Sequence, residues 1–180
     1  MASARARRAL LSVVLAATSF ALLAGPGAAA GPVEFCPSIG LTNATVRPIL
    51  GSHVSVYPYP NAGQDIGDCL IYDLKSRNPN ADVEVYPAGL AESLIADYGG
   101  GAKTHTHVQG LPGEAQLVTG KNNGYRHGGP TVFFTTGTSF VTVDGYTAAT
   151  LYIGKRRHVK PATTSAQVVR LAKLIYKTIR

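Results

Sequence analysis

The chain has 180 residues, 15% of them charged, and a formal net charge of +7. That length is one domain with enough material for a real core, which excludes a multi-domain assembly. Outside the N-terminus there is no long apolar run, which excludes a further membrane span.

The N-terminus has its own organisation. Arg5, Arg7 and Arg8 precede an apolar stretch from Leu10 to Leu23, and Ala28-Ala29-Ala30 offers a small-residue cleavage site before Gly31. This pattern predicts a secretory signal peptide over residues 1–30 and a single secreted domain over residues 31–180. Arg7-Arg8 loosely resembles a twin-arginine signal; general secretion is the expected route. Cys36 follows Val33-Glu34-Phe35, which does not fit lipidation, so the exported chain is expected to be soluble and freely secreted, or held at the wall by contacts only. In an exported protein the isolated pair Cys36 and Cys69 is expected to form a disulfide. A thiolate nucleophile or redox pair is the alternative, although no Cys-x-x-Cys occurs.

Residues 31–41 are expected as an extended arm. Thr42 to Leu50 has a cap, an apolar face of Val46, Ile49 and Leu50, and a stop at Gly51, so a short or kinked helix is predicted around Pro48. His53–Tyr57 is predicted as a strand, and Tyr57-Pro58-Tyr59-Pro60 as an extended turn. Asn61–Gly67 is expected as loop. Cys69–Lys75 and Ala81–Tyr86 are predicted to pair as a hairpin about a turn at Asn78-Pro79-Asn80. Leu90, Ala91, Leu94, Ile95 and Tyr98 recur at helical spacing, and Gly99-Gly100-Gly101 ends that helix. Lys103–Val108 and Gln116–Thr119 are strand candidates. The residues from Lys121 to Pro130 are turn chemistry.

The longest β-branched and aromatic run is Thr131–Ile153, which Gly137 and Gly145 are expected to divide into three strands at the middle of a sheet. The clearest helix comes last, at about residues 164–179. Thr164 and Gln167 have capping-box spacing, and Val168, Leu171, Ala172, Ile175 and Ile179 share a face. The predicted fold class is α+β: an antiparallel sheet of five to seven strands, with two or three helices mostly on one face and one disulfide, Cys36–Cys69.

The order of several short motifs resembles a family of actinobacterial secreted proteins and lipoproteins of the cell envelope, whose function is unknown. The residues that carry it are Cys36-Pro37-Ser38-Ile39, Gly51, Cys69-Leu70-Ile71-Tyr72, Gly110-Leu111-Pro112-Gly113-Glu114-Ala115, Thr136-Gly137-Thr138 and Leu171-Ala172. Three departures stand out: the lipobox is absent, Pro112 interrupts the Gly-rich turn, and Ile71-Tyr72 replaces the usual Cys-x-Trp. The element order is more distantly similar to the extracellular sensor domains of mycobacterial receptor kinases. The resemblance implies an envelope location and supplies no catalytic residues.

Candidate chemistry is sparse. On a strand, His105 and His107 point to one face and could chelate zinc, with His127 or Glu114 closing the site. Gly99-Gly100-Gly101-Ala102-Lys103-Thr104 lacks the Walker spacing, and no G-x-S-x-G occurs. Asp65, Asp68 and Asp73 are not spaced as a calcium loop. Glu92 and Asp97 are expected on an exposed helix side. Tyr57, Tyr59 and Tyr125 with Arg126 fall in expected loops and could grip a sugar or peptide, or cover sheet edges.

Charge is distributed unevenly. Residues 153–180 carry Lys155, Arg156, Arg157, Lys160, Arg170, Lys173, Lys177 and Arg180 and no acid, whereas residues 31–152 sum to −4. Arg170, Lys173, Lys177 and Arg180 share one helix face, and a Lys155-Arg156-Arg157 loop is expected to extend that patch. The sequence therefore predicts a non-enzymatic, exported, envelope-associated protein that binds a ligand or partner. Candidate partners are anionic wall polymer, lipid headgroups or an envelope protein; neither a cofactor nor nucleic acid is expected. Two other classes remain open: a small secreted hydrolase, zinc-dependent if His105 and His107 are ligands, and a sensor or accessory domain of an envelope complex.

Overall fold

In a computed structural model of the chain, the apolar run after Pro130 supplies the centre of the sheet. Seven strands are antiparallel throughout: β1 (Val54–Tyr59), β2 (Gly67–Asp73), β3 (Asn78–Pro87), β4 (Thr104–His107), β5 (Gln116–Thr119), β6 (Gly128–Thr135) and β7 (Ser139–Tyr146). Their spatial order is β1-β2-β3-β7-β6-β5-β4. A separate two-stranded sheet pairs β8 (Thr150–Ile153) with β9 (Arg156–Val159). Among the described residues there are four α-helices: α1 (Pro32–Ser38), α2 (Asn43–Leu50), α3 (Ala91–Gly99) and α4 (Ser165–Ile179). The structure describes residues 32–59, 66–100, 102, 104–119, 128–146, 150–153, 156–159 and 163–180. The expected signal peptide, most of the loop expected over 61–67, and most of the turn chemistry expected over 121–130 lie outside them.

Strand alternation sorts the sheet into two faces. Ile71, Val83, Val85, Val132, Phe134, Val141 and Val143 bury one face against α1, α2 and α4. The intervening Tyr86, Val118, Phe133 and Phe140 make a smaller cluster on the opposite face, against Leu94 and Ile95 of α3. Three of the four helices thus share a face, one more helix in total than the upper expectation.

Local chemistry explains each correction to the sequence reading. Residues 32–38 are helical, not an extended arm. Pro32 sits in the first turn, where a missing N–H leaves no bond unmade. The aromatic ring of Phe35 packs against Gly67, leaving no room for a Cβ there, and the Cys36–Cys69 disulfide forms with Cα atoms 5.8 Å apart. Together they clamp α1 to the start of β2.

Asp73 ends β2 early. Its Oδ1 accepts from Lys75 N at 2.8 Å and Ser76 N at 3.3 Å, closing a turn, and Arg77 completes it at φ 53°. Asn78-Pro79-Asn80 then opens β3 instead of forming the turn. The expected meander is also revised. Gly137 does mark a turn, in which Thr136 N donates to Ser139 O at 2.7 Å. Gly145 instead lies inside β7, opposite Ala81. Its missing side chain lets α4 approach: a Cβ there would stand 2.9 Å from Val168 Cγ2. The third strand of the run, β8, leaves the main sheet and pairs only with β9.

Strand β1 runs through Pro58 to Tyr59, where a turn was expected. An edge strand tolerates this because an outward-facing proline has no ladder partner to lose. Three outward groups in the first half of β1 are closed by local partners. Val54 N donates to Gly51 O at 3.4 Å, and Val56 N donates to Asn43 Oδ1 at 2.8 Å. Arg47 Nε donates to Val54 O at 3.2 Å. Asn43 and Arg47 lie one turn apart on α2, so this helix blunts the first half of the edge, at Val54 and Val56, against pairing with another chain.

Candidate functional site

Helix α4 carries the strongest charge feature. Thr164 caps it by accepting from Gln167 N, and Gln167 Oε1 accepts in return from Thr164 N at 2.9 Å. Gln167 Nε2 also donates to Ile49 O at 3.0 Å, tying the start of α4 to the end of α2. Val168, Leu171, Ala172 and Ile175 are fully buried against the sheet. That packing fixes the rotation of the helix, so Arg170, Lys173, Lys177 and Arg180 all stand exposed on its outer side. Lys173 leans over the Gly110 turn, its Nζ 3.7 Å from where a Cβ of Gly110 would lie. The bases at positions 177 and 180 also suit the negative end of the helix dipole, which by itself explains some of their presence.

The loop expected to extend this patch through Lys155, Arg156 and Arg157 is not found at Arg156 and Arg157. Arg156 and Arg157 lie on β9, in register with Ile153 and Tyr152. Lys155 and Lys160 lie outside the described residues.

The histidines expected as ligands are on β4, the edge strand opposite β1. His105 and His107 are both exposed and line a shallow recess of about 350 Å³ with Gly113, Glu114 and Gln116. His105 Nδ1 lies 3.0 Å from Gln116 Oε1. Two residues were expected as a third ligand, His127 or Glu114. His127 lies outside the described residues, and Glu114 does not gather with the two histidines at ligating distance.

Among the described residues the ligating atoms that do gather belong to Asp68, Asp82 and Glu84, all within 4.8 Å of one another. They sit on β2 and β3, with Asp68 opposite Glu84 and Asp82 opposite Asp144 of β7. Thr131 Oγ1 donates to the Asp144 carboxylate, and Thr142 Oγ1 donates to Glu84 Oε2 at 3.3 Å. Oxygen donors of this kind suit a hard cation such as calcium or magnesium. These carboxylates are, however, engaged within the protein, and the cluster reads as a polar layer of the sheet. Tyr146 belongs to the same layer. Burial first, then the charges of Asp82, Tyr72, Asp144 and Asp68, push its hydroxyl far above the ordinary tyrosine value. It stays protonated at neutral pH and cannot act there as a phenolate base or nucleophile.

No local pattern in the sequence announces this layer as a whole, because its members, Asp68 to Tyr146, are up to 78 positions apart. The signal was present as alternation: Asp82 and Glu84 interleave with Val83 and Val85, and Thr142 and Asp144 with Val141 and Val143.

The remaining candidates resolve simply. No free cysteine exists, so neither Cys36 nor Cys69 offers a thiolate. Glu92 and Asp97 are exposed on α3, as expected. Tyr57 and Tyr59 are on β1 rather than in a loop, 46% and 52% exposed, and Tyr57 meets Tyr72 edge-on at 6.0 Å. Tyr125 and Arg126 lie outside the described residues. No helix among the described residues is long and apolar enough to cross a membrane. No protein-family model, curated protein or solved structure matches the chain.

Proposed function

We propose that this protein is exported and acts without catalysis at the cell envelope, where the outer face of α4 holds it against an anionic surface. The observation that carries the reading is the stripe of Arg170, Lys173, Lys177 and Arg180, all exposed, on a helix that contains no acidic residue. The signal-like N-terminus and the Cys36–Cys69 disulfide support export, since disulfides persist in oxidising compartments. The resemblance of the Cys36, Gly51 and Cys69 motifs to secreted envelope proteins points the same way.

The chemistry recognised is a repeated phosphate or carboxylate, as in wall polymer or lipid headgroups. Each Lys or Arg near such a surface contributes about 1 kcal/mol, and salt screens it within a Debye length of ~10 Å at 0.1 M. Cosedimentation with phosphatidylglycerol vesicles and, separately, with purified anionic wall polymer tests this and distinguishes the two surfaces. Binding at low salt that fades as salt rises supports the reading. Absence of binding to both, or binding indifferent to salt, removes it.

A further inference from the structure

From the recess beside β4 we propose a second, independent site: a surface seat for a divalent transition-metal ion, copper(II) above all, held by His105 and His107. Residues two apart on a strand lie on one face roughly 6.6 Å apart along the chain, a span that two imidazoles can bridge onto one ion. Both rings are exposed and both line the recess. This seat needs neither His127 nor a closed cage; water completes the coordination.

Two features organise the first ring. Gln116, on β5, faces His105 Nδ1 with its carbonyl oxygen at 3.0 Å. In the tautomer with its proton on Nδ1, the ring donates to that oxygen and keeps the Nε2 lone pair for the ion, the arrangement by which outer partners orient metal-bound imidazole. His105 also abuts the end of α3. A Cβ at Gly99 would stand 3.4 Å from His105 Cε1, so the ring rests beside the last residue of that helix. The C-terminal end of a helix carries partial negative charge, which favours a cation there. Glu114, exposed on the rim of the recess, adds a carboxylate to the field around the ion. Imidazole donors with open positions rank the metals copper(II) above nickel(II) and zinc(II).

The test is titration of the full, untagged chain with copper(II) chloride in a non-coordinating buffer, followed by calorimetry and by electron paramagnetic resonance for nitrogen ligation. One site is expected, with nickel(II) and zinc(II) binding more weakly. Affinity should fall at least about tenfold in His105→Gln and in His107→Gln, and by about tenfold in Gln116→Ala, where both ligands remain but their orientation is lost. His53→Gln, which removes a histidine remote in sequence from β4, should bind as the parent does. Because β4 is exposed, these changes leave the core untouched, and circular dichroism of each variant verifies it. Parent-like affinity in the His105→Gln/His107→Gln double variant overturns the proposal, as does a parent titration with no heat above buffer.

Discussion

Replacing Gly145 by alanine should loosen the seat of α4 on the sheet. The new Cβ would meet Val168 Cγ2 at 2.9 Å, Pro130 O at 3.1 Å and Pro130 Cγ at 3.2 Å. Val168 is fully buried and lies in the first turn of α4, so it has no open space to turn into. The oxygen of Pro130 is backbone, in the irregular stretch where β6 pairs with β7. Overpacking of this kind costs about 1–3 kcal/mol, partly offset by about 0.4–1 kcal/mol because alanine restricts the unfolded chain. We expect a net loss of about 1–2 kcal/mol. Urea unfolding with the disulfide intact should show a lower midpoint and an unchanged slope. Gly137→Ala is the control: a Cβ there meets nothing within 4 Å, so its midpoint should stay within about 0.5 kcal/mol of the parent. Val168→Ala alone costs about 2 kcal/mol of lost apolar burial. Combined with Gly145→Ala it should cost less than the sum, with a coupling of at least about 0.5 kcal/mol. A Gly145→Ala protein as stable as the parent, or strict additivity with Val168→Ala, would refute the close approach of α4 to β7.

Three further outcomes are expected. Removing the disulfide as Cys36→Ser/Cys69→Ser, a link across 33 positions, should lower stability by about 2–5 kcal/mol, and reduction of the parent should match it in the same urea assay. Asn43→Ala leaves the Val56 N–H without the oxygen that caps it; the expected loss is about 1 kcal/mol. The opened β1 edge should also raise self-association, measured by sedimentation velocity. For Tyr146 the folded hydroxyl titrates above its ordinary value of 10.0. The unfolded chain therefore ionises first, and the contribution of Tyr146 to stability is full below pH 10 and lost as pH rises beyond it. Urea midpoints between pH 8 and 11 should fall more steeply for the parent than for Tyr146→Phe. Equal slopes would count against the buried polar layer.

Legibility in the sequence followed how local the signal was. The periodicity and capping box of α4 are contained within one stretch, and both ends of that helix and its buried face were readable. So were the alternation of Cys69 and Ile71 against Leu70 and Tyr72, and the stop at Gly51. The errors arose where tertiary context decides. Pro58 signals a turn unless its strand is an edge. Gly145 signals a break unless a helix needs to come close. Asp73, which closes the turn after β2, was outweighed by the louder Asn78-Pro79-Asn80. The carboxylates of the polar layer come from three strands, and only the register of β2, β3 and β7 brings them together. Helix α1 is short and carries two prolines; its stability comes from Phe35 and Cys36 docking on β2, which no local pattern announces.

The central claim is that the outer face of α4 holds the protein to an anionic surface. The most direct measurement compares the parent with Arg170→Gln/Lys173→Gln/Lys177→Gln on the same vesicles or wall polymer at low salt. These side chains are exposed, so the variant should fold and melt as the parent does. At about 1 kcal/mol for each charge near the surface, three losses predict a drop in affinity of up to about a hundredfold and a flatter salt dependence. Equal binding by the variant, with the salt dependence unchanged, would contradict the account.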